Sequence, residues 1–120
     1  MKRIVGIIFI LALITSCDDF ITEKDKNMIK DIESVDYVTL QDIAAGNRSL
    51  AKGTRIKIKV RTDKDWVKVY GYRSEIDELI SEQTLILYLF KEDFEKEQFN
   101  TEFFMQKLYE RIKKTDQVKR

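Results

Sequence analysis

One cysteine, no histidine and a short run of carboxylates limit the chemistry open to this chain. Cys17 is the sole thiol, so it can carry a covalent group but cannot close a disulfide within the chain. Without imidazole, Ser-His-Asp and Cys-His catalysis are excluded, as are zinc sites of the usual Cys/His kind. Glu92, Asp93, Glu95 and Glu97 are the carboxylates that could work as a pair. General acid–base work needs a cleft that drives the acidities of two such groups apart. Here Lys91 and Lys96 alternate with them on a segment that reads as exposed, and the Asp-x-Asp-x-Asp-Gly spacing of a calcium loop is missing. Gly46 and Gly53 stand alone and make no phosphate loop. The residues therefore point to no enzyme, no metal and no cofactor.

Two surfaces could bind instead. Arg55, Lys57, Lys59 and Arg61 alternate with Ile56, Ile58 and Val60, which puts the basic set on one face of a strand. If the next strand pairs as a hairpin, Trp66, Lys68, Tyr70 and Tyr72 share that face. Basic residues interleaved with aromatics on a sheet suit a polyanion or a glycan; the plainer reading is a solvated charged face. The second surface is the aromatic stripe Phe94, Phe99, Phe103 and Phe104, continued by Tyr109. Helical spacing makes it core, and an exposed Phe103, Phe104 or Tyr109 would make it a partner site.

The elements that must position these residues follow from periodicity. Residues 35–40 read as a short strand, and Gly46-Asn47 as a turn. Residues 53–62 and 66–73 form a hairpin across Asp63-Lys64-Asp65. Ser74 begins a short helix with Ile76, Leu79 and Ile80 on one side. Thr84–Phe90 is a continuous apolar run and should be the most buried strand. Residues 91–114 have a helical period, with Phe104, Leu108 and Ile112 four apart, an N-cap at Asn100 or Thr101 and a basic last turn. The expected fold is α+β: a small bent sheet or partial barrel packed by a C-terminal helix.

The amino terminus sets the address. Lys2 and Arg3 precede an 11-residue apolar run at 4–14, too short to span a bilayer, which takes about 20 residues. A charged head, an apolar middle and small residues before a cleavage site describe a secretory signal peptide. Ile14-Thr15-Ser16-Cys17 resembles a bacterial lipobox. That resemblance implies cleavage before Cys17, a diacylglyceryl thioether on its sulfur and acylation of the new amino terminus. The chain would then divide into a signal peptide at 1–16, the acylated cysteine with a polar tether at 17–34 (or a docked helix within it, on the i, i+3 spacing of Ile29 and Ile32), one domain at 35–115 and a frayed tail at 116–120. It would sit in the cell envelope, held to the lipid bilayer through Cys17 and facing the periplasm or the cell surface. Removing Lys2 and Arg3 shifts the formal charge from +1 to −1, so net charge favours no class of partner and nucleic acid least of all.

Leu50-Ala-Lys-Gly-Thr-Arg-Ile-Lys-Ile-Lys-Val, followed by Asp65-Trp66-Val67-Lys68-Val69, resembles the core of a bacterial SH3-like domain. The helix expected after Ser74 departs from that pattern and keeps an OB-like barrel as the alternative. Over its full length, including Leu85–Phe90 and Lys91-Glu92-Asp93-Phe94, the chain is similar to small lipoproteins associated with type II secretion systems. That similarity implies a non-enzymatic binding or scaffold module whose protein partner belongs to the secretion apparatus.

Overall fold

The computed structural model describes residues 19–76 and 82–115. The signal peptide, Cys17, most of the helix expected after Ser74 and the tail at 116–120 lie outside the described residues. The elements are α1 (Glu23–Glu33), β1 (Tyr37–Thr39), β2 (Ile43–Ala45), β3 (Arg48–Leu50), β4 (Arg55–Thr62), β5 (Trp66–Arg73) and β6 (Thr84–Phe90). Two 3₁₀ turns (Lys91–Asp93 and Glu95–Glu97), α2 (Thr101–Leu108) and β7 (Ile112–Lys114) complete them. An antiparallel five-stranded sheet runs β6-β5-β4-β1-β7, with β2-β3 as a separate hairpin. The described residues are thus α+β, a curled half-barrel sheet with two α-helices.

The β4–β5 hairpin forms as its alternation requires. Ile56, Ile58, Val67 and Val69 are buried, and the register pairs Lys57 with Tyr72, Lys59 with Tyr70 and Arg61 with Lys68 on the other face. Gly46 takes φ +66° in the β2–β3 turn, a conformation that costs glycine little. Gly71 lies close under the core: a Cβ there would stand 2.5 Å from Ile86 Cδ1, so the end of that side chain would have to shift to admit it.

Three expectations need correction. Of the two readings of 17–34, the docked helix rather than the free tether describes the chain from Asp19 onward, where it is part of the folded unit. Phe20 is 3% exposed among the rings of Phe94 and Phe99, and Thr22 and Asp25 close a capping box that starts α1. Ile29 is buried, and Glu33 Oε2 accepts the Val60 N–H at 2.7 Å. That bond satisfies β4 beyond Arg55 and Ile56, the β4 residues that pair with β1, where β1 no longer covers its edge.

The long C-terminal helix is also shorter than its period suggested. Residues 91–97 turn as 3₁₀ segments, and Lys96 and Glu97 take φ of 58° and 54°, which breaks a helix. Asn100 Oδ1 then caps α2 at the Phe103 N–H. The residues expected in its last turn, Lys113 and Lys114, pair with β1 instead. Phe104, Leu108 and Ile112 are all fully buried as the stripe demanded, but Ile112 reaches the core from a strand.

Finally, β6 is not buried on both faces. A bulge between Val69 and Tyr70 shifts the register, so Ile86 and Leu87 both face the core while Tyr88 and Phe90 are 40% and 46% exposed.

Candidate functional site

The outer face of β4, β5 and β6 gathers the basic and aromatic residues in cross-strand rows. Trp66 stands opposite Phe90, and Arg61, Lys68 and Tyr88 form the next row. Lys68 Nζ lies 4.7 Å from the centroids of both Trp66 and Tyr88, a cation held between two rings. Tyr88 and Phe90 are 4.6 Å apart, and Trp66 and Tyr88 6.2 Å. Arg61 sits 5.7 Å over Tyr70. Each contact joins neighbours on the same face of the pleat, as cross-strand pairing dictates.

All eight residues of the expected face share its side, but they do not form one continuous binding surface. Asp36, just before β1, accepts from Lys57 Nζ at 2.7 Å and Arg55 Nε at 3.3 Å, which offsets half of the basic stripe. Tyr72 is 6% exposed and offers no ring face to a ligand. What stays accessible is an aromatic patch around one lysine, toward the β4–β5 turn. Tyr88 and Phe90 were missed because Thr84–Phe90 looks uniformly apolar. The bulge that turns them outward leaves no mark in the sequence, although their spacing of two is that of one strand face.

The Lys57 ammonium, hydrogen-bonded to Asp36, holds that carboxyl below its ordinary 3.8 against the opposing effect of burial, with Arg55 adding to the pull. Folded Asp36 therefore releases its proton more readily than the unfolded chain does. The pair stabilises the fold above the ordinary carboxylate pKa, and the contribution is lost as pH falls through the folded value. Asp36→Asn is expected to lower the melting temperature at neutral pH and to flatten its fall below about pH 4, as thermal melts across the acid range will read.

The second expected surface largely closes. Phe104 is fully buried and cannot meet a partner. Phe103 packs its ring 5.0 Å from Phe94 under Lys107. Tyr109 alone is open, 40% exposed at the C-cap of α2. Deeper in, the Tyr37 hydroxyl donates to the Ile32 carbonyl at 2.7 Å, and burial pushes its phenol well above the usual range, which keeps it a neutral donor.

The carboxylates do not converge on a cleft. Glu92, Asp93, Glu95 and Glu97 are exposed; Asp93 Oδ2 accepts the Phe90 N–H, and Glu97 stands 3.9 Å from Lys91. Glu92, Asp93 and Glu95 border an open hollow of about 810 Å³ that Phe94, Phe99 and Phe103 also line. Among the described residues, no cluster of acidic, Cys or His side chains could hold a metal ion, and no helix is long and apolar enough to cross a membrane. No protein-family model, no curated protein and no solved structure matches the chain.

Proposed function

We propose that this chain is a bacterial envelope lipoprotein whose folded unit is a non-enzymatic binding or scaffold module. The observation that carries this reading is the lone cysteine closing Ile14-Thr15-Ser16-Cys17 behind a short apolar run. Acylated there, the protein works by position. Two or three acyl chains make anchoring stable where one is marginal, and anchoring raises the effective concentration at the membrane, so modest contacts suffice.

The barrel is of the SH3-like kind. The last strand, β7, returns beside the first, β1, while β4, β5 and β6 form a meander and 3₁₀ turns follow β6. This order supports an SH3-like over an OB-like arrangement, because an OB barrel does not seat its last strand on the outer edge of its first. In this reading β2-β3 is an excursion between the first two long-range partners, and α2 is an insertion before the closing strand. The partner is a component of a type II secretion apparatus, as the full-length resemblance implies.

The experiment is a pull-down from detergent-solubilised envelope with the native protein beside Cys17→Ser. Recovery of secretion-apparatus components with the native form alone is the expected result. Retention of glycan or another polyanion with no protein would overturn it and favour the basic stripe.

A further inference from the structure

No slack separates the start of the described chain from the fold. Gln98 Nε2 donates to the Asp19 carbonyl at 3.2 Å, and the Phe99 N–H donates to the Phe20 carbonyl at 3.0 Å. Two residues of fully extended chain reach about 7 Å, so the Cα of Cys17 lies within that distance of Asp19. Asp19 shares a surface hollow with Lys26, at the start of α1, and with Thr62, Asp63 and Lys64 of the β4–β5 turn. Trp66 opens β5 two residues beyond Lys64 and stands opposite Phe90. The exposed aromatic patch therefore lies at the end of the sheet from which an anchor on Cys17 emerges.

We propose that Trp66, Tyr88 and Phe90, with Lys68 among them, seat in the headgroup layer of the membrane that the Cys17 acyl chains enter. This rests on the lipoprotein reading. The occupant follows from chemistry and place together. Tryptophan and tyrosine concentrate at membrane–water interfaces, where an apolar ring body meets a polar tip, and a lysine there lays its stem along apolar surface while its ammonium stays in water. Phe90 and Tyr88 are among the most exposed large apolar side chains described, on a strand whose other face is core. With the anchor no more than about 7 Å from Asp19, the bilayer is the surface this patch meets first.

Charge does not make the contact. Lys64, Lys68 and Lys91 mix with Asp63, Asp65 and Asp93 around the patch, and Lys91 is already 3.5 Å from Asp65. Seating is therefore expected on zwitterionic lipid and at high salt, unlike binding of a polyanion. The consequence is an orientation: the β4–β5 turn and the aromatic rows lie on the membrane, and the far end of α1, with Tyr109, points away from it.

Trp66 is the only tryptophan in the chain, so its emission reads the site directly. The probe is the native acylated protein in phosphatidylcholine vesicles, with and without bromine on the acyl chains. Brominated lipid is expected to quench Trp66 about twofold or more, as interfacial depth requires, with little change on adding salt. Tyr88→Ser with Phe90→Ser is expected to remove most of that quenching while the protein still floats with the vesicles. Trp66→Phe with Tyr109→Trp moves the reporter beside Asp31 and Ile32, past the roughly 16 Å length of α1, and its emission is expected to be insensitive to bromine. Vesicle-bound protein whose Trp66 ignores brominated lipid and is quenched by aqueous iodide would overturn the proposal and leave the lipoprotein reading intact. So would unchanged quenching in the Tyr88→Ser, Phe90→Ser variant. A protein that carries no acyl group by mass would remove the lipoprotein reading and the seating with it.

Discussion

Phe104→Ala is expected to lower folding stability by about 3–5 kcal/mol, the range for a phenylalanine lost from a closed core. Phe104 is fully buried, its ring tilted against that of Phe99 at 5.3 Å, beside equally buried Leu108 and Ile112. A domain of this size is stable by only about 5–15 kcal/mol, so the substitution removes a large share of the total. Urea denaturation of the soluble chain beginning at Asp18 measures it. A small change in midpoint would mean that the ring is a surface group available to a partner. The neighbouring Tyr109→Ala removes a side chain that is 40% exposed and is expected to move the midpoint far less.

Phe20→Ala carries the second large effect, also about 3–5 kcal/mol. The ring lies 5.1 Å from Phe94 and 6.1 Å from Phe99, and the backbone beside it is bonded to residues 98 and 99. Removing it opens the cluster that holds α1 and the 3₁₀ segment to the end of the sheet. If residues 19–34 were a solvated tether, the same substitution would leave urea stability unchanged. The distinction bears on the proposed function, because in a lipoprotein anchored at Cys17 a docked segment would leave the module no reach above its anchor. On that proposal a partner would have to come to the membrane surface.

How much of this was legible can be followed residue by residue. Strict alternation from Arg55 to Arg61 dictated β4 and its two faces, and the Trp66–Tyr72 set fell on the expected side because register in a short hairpin is fixed by the turn. Burial was legible even where the element was not. Ile112 belonged to the core stripe, yet backbone pairing with Thr39 outweighed helical propensity at the chain's last turn. The docked α1 was legible only as a weak alternative because its apolar residues, Ile29 and Ile32, are sparse among charges, and Phe20 before it is buried by Phe94 and Phe99, more than seventy residues away. The β2-β3 hairpin was seen only as its Gly46-Asn47 turn, since three-residue strands carry too little periodicity. At the candidate site, the contribution of β6 was hidden by a bulge, and the neutralising role of Asp36 by the distance in sequence to Arg55 and Lys57. Such non-local effects leave no local pattern to read.

The central claim is that Cys17 carries the protein on a membrane, and the intact mass of the chain extracted from its native envelope tests it most directly. The expected result is a chain that begins at Cys17, lacks residues 1–16 and bears a diacylglyceryl group with or without a further amide-linked acyl chain. A mass that retains Met1, or an unmodified Cys17 thiol, would contradict the account.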